Sequence, residues 1–234
     1  MNCGLGNLNS LKTQLLTPAL QPGTQFDSLI QSIGRGVAGS FDQFCNRAFT
    51  YKENFTEIFM GNRAFWYARR FPFVTIAKVE LKYFQTDAWT DITAQPLIVN
   101  PETGQLNFGY TLGPAPLQCR ITYTGGYWFQ MLEPTDPGYQ VCDTEDDPGY
   151  PSALPTAIQN SPTLNPPGIE PFKFLLPREL RDAWLLQCRV HWDSIDKLGL
   201  GVKDKPKAQS AVNSLELAPQ VKQILKSHIR YQLT

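Results

Sequence analysis

Histidine is scarce in this chain: His191 and His228 are the only two among 234 residues. Any Ser-His-Asp or Cys-His site must therefore be built on one of them. His228 lies near the C-terminus among Lys222 and Lys226, a poor setting for a catalytic base. His191 belongs to Cys188-x-x-His191, the nearest thing to a metal pair. Zinc needs two further ligands, and none stands close in sequence. Both residues fall on the apolar stripe of a helix, where core packing accounts for them. GxSxG, HExxH, Walker A and GxGxxG-plus-acid patterns are missing as well. No catalytic residue, metal ligand or cofactor is expected.

Net charge is also missing. Lys plus Arg is 21 and Asp plus Glu is 21. A dedicated nucleic-acid binder needs a cationic excess, so that class is disfavoured. Arg69-Arg70 beside Phe65, Trp66 and Tyr67 is then better read as an edge strand whose arginines face water or a partner than as a base-stacking platform. The five cysteines (Cys3, Cys45, Cys119, Cys142, Cys188) are odd in number and scattered. They fit reduced thiols in a cytosol rather than a disulfide framework. The start MNCGLGNLNS has no basic n-region and no apolar h-region, so no signal peptide is expected. No window reaches the roughly 20 apolar residues that span a bilayer, and no membrane partner is expected.

What is present is a helix, then strands, then helices. Phe26, Leu29, Ile30, Ile33, Val37, Phe41, Phe44, Cys45 and Ala48 recur at steps of three and four. That spacing predicts an amphipathic helix with Thr24 as its N-cap. Gly34 and Gly36 weaken its middle and mark a possible close approach of another element. A shorter helix is expected around Leu11–Leu16. From Tyr51 to Trp128 the period becomes two. Ala77, Val79, Leu81 and Tyr83 alternate with polar residues, as do Leu117, Cys119, Ile121 and Tyr123. These are half-buried antiparallel strands. Asn100-Pro101-Glu102-Thr103-Gly104 is a turn between two more strands. KENFTEIFM and RAFWYARRF read as a hairpin around Gly61-Asn62. About five or six strands are expected.

Met131 to Phe172 holds nine prolines and seven acids and no Lys or Arg. Such a stretch builds neither a packed helix nor a central strand. It reads as a long extended arm. Its cluster Asp143, Glu145, Asp146, Asp147 lacks the spacing of an EF-hand loop. With the whole chain neutral, the remainder carries a net +7, so the arm suits a basic surface of its own or a neighbouring copy. Helix returns at PRELRDAWLLQCRVHWDSIDKLG, with Pro177 at its start, Gly199 at its stop, and Leu180, Trp184, Cys188, His191, Ile195 and Leu198 as one stripe. A last amphipathic helix is expected over Leu217–Ile229, with Val221, Ile224, Leu225 and His228 near one face and Lys222, Lys226 and Arg230 on the other.

The fold class is α+β: a small helical bundle with an inserted antiparallel sheet or sandwich and a long proline-rich arm. The expected organisation is N-terminal helices over 1–50, the β insertion over 51–130, the arm over 131–172, a helix packing on the N-terminal one over 173–200, and a linker with C-terminal helix and tail over 201–234.

The order of segments carries a resemblance. A helix stripe ends in FCNRAFTYKENFTEIFMG. There follow ARRFPFVTIAKVEL, DITAQPLIVNPETGQLNF, LQCRITYTGGYW and LPRELRDAWLLQCRVHWDSIDKLGLG. Over most of Leu11–Gly201 this resembles the head–tail connector, or head-completion and adaptor, proteins of tailed bacteriophages. The resemblance implies a structural virion protein without enzymatic activity. It implies a ring, typically dodecameric, beneath the portal protein. That ring completes the head, docks a tail-side connector or tail-completion protein, and continues the channel for packaged DNA without reading its sequence. The protein would be made in the bacterial host cytoplasm and reside at the head–tail interface of the virion. Transferred residue by residue, the portal-contact candidates are Leu217, Val221, Lys222, Ile224, Leu225, Lys226, Ile229, Arg230 and Tyr231. Subunit-contact candidates are Arg69, Arg70, Tyr127, Trp128, Asp143, Glu145, Asp146 and Asp147. The long arm departs from compact members, and its expected role is to wrap a neighbour or meet the next ring. In ITYTGGYW, Gly125-Gly126 would end the last strand, and Tyr127 and Trp128 would cover the sheet edge or a neighbour. Two rival readings are a β-rich binding module of a tail or baseplate and an unrecognised cysteine-dependent hydrolase built on Cys188 and His191.

Overall fold

A computed structural model describes residues 3–60, 65–94, 98–107, 118–129, 175–199 and 216–230, the side chains of 195–199 excepted. The architecture is mixed α+β with antiparallel sheets. The chain divides into two compact units. The first contains the residues up to Cys45, Phe129 and the helices after Leu175; the second contains Asn46–Trp128, Leu175 and Arg230.

The first unit is helical. Its elements are α1 (Leu8–Leu15), α2 (Asp27–Phe44), α3 (Arg178–Gly199) and α4 (Pro219–Leu225), the last followed by a 3-10 turn over Lys226–His228. Asn7 caps α1, its side chain accepting from the Ser10 amide at 2.9 Å. The expected Thr24 cap on α2 is corrected: α2 begins three residues later, and its first residue, Asp27, forms an ion pair with Lys12 at 2.6 Å. The stripe on α2 forms as its spacing predicts, with Ile30, Ile33, Val37 and Phe41 buried. Leu29 is left on the exposed side, and the helix stops at Phe44 because Asn46 turns to positive φ. Pro177 sits just before α3 rather than inside it, its carbonyl accepting from the Leu180 and Arg181 amides.

Trp184 is the centre of this core. It is fully buried, and its indole N–H donates to the Gly34 carbonyl at 2.9 Å. Gly34 is where α2 admits close neighbours: an added Cβ would come within 2.3 Å of the Cys3 carbonyl oxygen and 2.8 Å of Leu11 Cδ1. Gly36 has nothing within 4 Å. One feature of α3 was not legible in its apolar spacing. Gln187 is fully buried; its amide donates to the Glu216 carbonyl at 3.1 Å and accepts from the Ala218 amide at 2.8 Å. It thereby holds the chain entering α4, whose buried residues Val221 and Leu225 complete the core.

The second unit is a β-sandwich. Among the described residues, seven strands form two antiparallel sheets. The strands are β1 (Lys52–Met60), β2 (Phe65–Tyr67), β3 (Phe73–Lys82), β4 (Thr90–Asp91), β5 (Ile98–Asn100), β6 (Gln105–Asn107) and β7 (Gln118–Gly125). The order is β1-β7-β3-β4 in one sheet and β2-β6-β5 in the other. The predicted β5–β6 turn holds: Asn100 Oδ1 accepts from the Glu102 and Thr103 amides, and Ile98 pairs with Asn107. The predicted β1–β2 hairpin does not form. The two strands lie in different sheets because Phe59 of β1 stacks on Trp66 of β2 at 5.7 Å, so they face each other across the core instead of pairing. The shared core is Trp66, Ala68, Phe73, Val79, Leu81, Leu106, Cys119, Ile121 and Tyr123.

The alternation in β7 holds, with Cys119, Ile121 and Tyr123 fully buried. That in β3 breaks. The register shifts between Ile76 and Lys78, which leaves Ala77 in solvent while Val79 and Leu81 stay in the core; Glu80, opposite Arg120 on the other face of the sheet, is buried as well. Glu80 is tolerated because Arg120 and Lys78 meet its carboxylate at 2.7 and 2.8 Å. The Arg120 hydrogen bond, ahead of Lys78, holds that carboxyl below its ordinary range.

Candidate functional site: assembly surfaces

The four cysteines among the described residues are buried. Cys188 is fully buried, and that burial pushes its thiol well above the ordinary range. Burial likewise moves the Cys119 thiol up to about 12. His191 is partly buried, which lowers its pKa and favours neutral imidazole. Burial thus favours the protonated thiol at Cys188 and the neutral ring at His191. Among the described residues no group of three His, Cys, Asp or Glu side chains is placed to hold a metal ion. No helix among them is long and apolar enough to cross a membrane.

The segment Thr124-Gly125-Gly126-Tyr127 is a junction. β7 ends at Gly125, where an added Cβ would lie 2.8 Å from the Arg70 carbonyl oxygen and 3.0 Å from that of Pro72. Gly126 has φ +101°, a backbone conformation glycine adopts without steric cost, and there a Cβ would meet the Thr50 carbonyl oxygen at 2.4 Å. Tyr127 is bonded on both sides of Thr50: its amide donates to the Phe49 carbonyl at 2.7 Å, and its carbonyl accepts from the Tyr51 amide at 2.9 Å. Its ring stacks on Phe49. Tyr127 therefore packs within its own unit.

The sequence gives no warning of Arg47. It is 2% exposed, and its guanidinium lies 3.4 Å from the Phe71 ring centroid, 4.6 Å from that of Phe49 and 5.3 Å from that of Tyr127. Nη2 donates to the Phe71 carbonyl. An arginine between Asn46 and Ala48 in an apolar run looks like a helix surface position; the three aromatics that enclose it come from three separate segments.

The predicted contact residues separate into groups. Arg70 is engaged at home: Nη1 donates to the Thr50 carbonyl and, at 2.9 Å, to its hydroxyl, and the guanidinium lies 4.9 Å from the Phe55 ring centroid. Arg69 presents an exposed side chain, and Trp128 is half-buried and bridges to Leu175. Asp143, Glu145, Asp146, Asp147 and Tyr231 lie outside the described residues, as does the arm. Leu217, Val221 and Leu225 are buried in the helical unit, because the seven-residue α4 uses its one apolar stripe on its own core. Lys222 and Ile224 are half-buried, while Lys226 and Ile229 are exposed. Arg230 belongs to the β unit and pairs there with Glu57, Nη1 to Oε1 at 3.5 Å.

Composition alone did not single out the large apolar side chains left in solvent. On the β unit these are Phe84 (70% exposed), Ile98 (63%), Met60 (62%) and Ile58 (51%). Ile58 and Met60 lie in register with Arg120 and Gln118 on the face of the four-stranded sheet turned from the core. Trp89 packs beside Arg120, 4.4 Å from its guanidinium carbon. Aromatic, Met and Arg side chains grouped in this way are the composition of interface anchors.

No family model matches the chain, and no curated protein does. Among solved structures, it is similar to a chain from the neck of an empty GTA particle computed with C6 symmetry, at 12% sequence identity and a TM-score of 0.52. The match covers 97% of this chain and 90% of that one, so it spans both units and not the sandwich alone. At that identity the likeness is one of fold: this α+β architecture is shared with a chain of a particle neck.

Proposed function

We propose that this chain is a head–tail connector subunit of a tailed phage or phage-like particle. In this reading, copies form a closed ring beneath the portal protein. The ring completes the head, continues the DNA channel and docks a tail-side connector or tail-completion protein. The observation that carries the reading is the likeness of nearly the whole chain to a chain of a particle neck. The order of sequence segments supports it independently, because a resemblance to connector proteins arises from them without reference to the fold.

A ring needs two different, mutually complementary patches on each subunit. Ile58, Met60 and Phe84 supply apolar anchors for one of them, and Arg69 a charged rim. On the C-terminal segment, Lys226 and Ile229 are the portal-contact candidates already in solvent. The acidic residues of 131–172 serve contacts with a neighbouring copy or the next ring. Channel lining without base recognition agrees with a formal net charge of zero.

Quantitative mass spectrometry of purified particles tests the proposal. The expected result is this chain in near-equal copies with the portal protein, or in the fixed ratio of a matched, dodecameric ring. A chain present in many more or many fewer copies belongs to a shell, fibre or baseplate instead. Its absence from particles would refute a structural virion role.

A further inference from the structure

A half-buried polar cluster surrounds Glu57, on the same side of β1 as Phe55 and Phe59. Its Oε2 is well supplied: the Tyr123 hydroxyl and the Arg69 amide both donate to it at 2.9 Å. The Tyr123 oxygen accepts in turn from the Arg70 amide at 3.1 Å. These donors orient the carboxylate without any cationic side chain. Oε1 faces Arg230, whose Nη1 stands 3.5 Å away.

The Arg230 side chain is 12% exposed and that of Glu57 11%. Arg230 Nε and Nη1 are both buried, yet neither donates a hydrogen bond. The pair is thus held by charge attraction, while two buried guanidinium nitrogens bear the cost of lost hydration. Such a guanidinium is better satisfied elsewhere, either in water or against a carboxylate it can meet in bidentate geometry. The socket loses little when Arg230 leaves, because Tyr123 and Arg69 keep Glu57 in place.

We propose that Glu57 is a socket that stores Arg230, and that an acidic partner surface draws Arg230 out. The identity of the partner rests on the connector reading; the storage does not. The socket also reconciles two facts. Arg230 stands in the segment expected to meet the portal, yet it is committed to the β unit.

Trypsin tests the storage, because it cuts after Arg230 only when the guanidinium enters its specificity pocket. Lys226, exposed in the same segment, is the internal reference. In the wild-type chain, cleavage after Arg230 is expected to lag cleavage after Lys226. Glu57→Gln should raise the initial rate after Arg230 about tenfold and leave the rate after Lys226 unchanged, a local opening rather than unfolding. Glu53→Gln removes an exposed carboxylate from the same strand outside the socket and should stay near wild type. An unchanged Arg230 rate in Glu57→Gln, or an equal rise at both sites, would overturn the socket. Release is read by adding the chain to portal-bearing particles that lack it. Glu57→Gln, with Arg230 already released, should join them at lower protein concentration than wild type. An equal or higher requirement would overturn the release step. Particles that take up neither chain would count against the connector reading and leave the socket to the trypsin result.

Discussion

Gly34 and Gly36 stand two residues apart on α2, and the same change to alanine at each should act with opposite sign. Helix propensity favours alanine at both, by about 1 kcal/mol. At Gly36 that term acts alone, because an added Cβ meets nothing within 4 Å. Gly36→Ala should therefore stabilise the helical unit by up to about 1 kcal/mol. At Gly34 the new methyl would lie 2.3 Å from the Cys3 carbonyl oxygen, 2.8 Å from Leu11 Cδ1 and 3.1 Å from Trp184 Cζ2. The oxygen belongs to the backbone, and the Cys3–Gly4 segment has no room to retreat: Gly4, at φ +110°, is itself packed against the Gly34 carbonyl. Overpacking of this kind costs about 1–3 kcal/mol and sometimes more. A shift of Trp184 also weakens its buried hydrogen bond to Gly34, worth about 1 kcal/mol. After the propensity gain, Gly34→Ala should destabilise by about 1–3 kcal/mol. The two variants then differ by about 2–4 kcal/mol. Amide hydrogen exchange of α2 is the suitable assay, because it reports on this unit whether or not the β unit opens with it. Protection should rise in Gly36→Ala and fall in Gly34→Ala. Wild-type or greater protection in Gly34→Ala would refute the close packing of α1, α2 and α3 around that glycine.

Arg47→Met should destabilise the β unit by about 2–4 kcal/mol, through loss of a desolvated cation over aromatic rings and of the bond to the Phe71 carbonyl. Arg47→Lys should rescue little of this, since a lysine cannot reproduce the planar guanidinium against Phe71; full rescue in a thermal melt would show that only charge matters there. Glu80→Gln should cost about 1–2 kcal/mol at neutral pH. Because the folded-state pKa of Glu80 lies below its ordinary value of about 4.5, its contribution is present above that value and fades as pH falls through the folded pKa. Wild type and Glu80→Gln should therefore converge in stability on acidification, and a constant gap down to strongly acidic pH would contradict the assignment. Cys3, Cys45, Cys119 and Cys188 are buried and should resist thiol reagents at neutral pH until denaturant is added. Rapid labelling of native Cys188, located by peptide mapping, would revive the hydrolase reading.

Periodicity is a local property, and it was legible. The steps of three and four on α2 and α3, and the alternation through Cys119, Ile121 and Tyr123, specify element type because each puts apolar groups on one face. They led to the α+β class, to both flanking helices and to the Asn100–Gly104 turn, which its own side chain closes. What periodicity does not encode is which strand neighbours which. KENFTEIFM and RAFWYARRF are close in sequence, yet β1 pairs with β7, because the Phe59 and Trp66 rings are better buried across a sandwich than along one sheet edge. The bulge in β3 is a similar case: one extra residue puts Ala77 out of phase with Val79 and Leu81, and Glu80 is buried on the opposite face because Arg120 on a neighbouring strand meets it there.

The candidate surfaces divide along the same line. An amphipathic stripe at Leu217, Val221 and Leu225 is visible in sequence, but a stripe does not say whether it faces a partner or its own bundle. Cys45 and Gln187 decide that: the Cys45 thiol donates to the Leu225 carbonyl at 3.5 Å, and Gln187 bonds the chain on either side of Leu217. Arg47, Glu57 and Arg230 are charged and flanked by ordinary residues, so by sequence they belong on a surface. Their burial depends on rings, amides and a hydroxyl contributed by segments up to 173 residues away, as with Arg230 and Glu57. The sequence by itself determined the kinds of element, their order and the absence of a recognisable catalytic motif, since these follow from neighbours in the chain. Only the tertiary structure decided which charges are buried and which apolar groups stay in solvent, because desolvation is set by everything that surrounds a side chain in space.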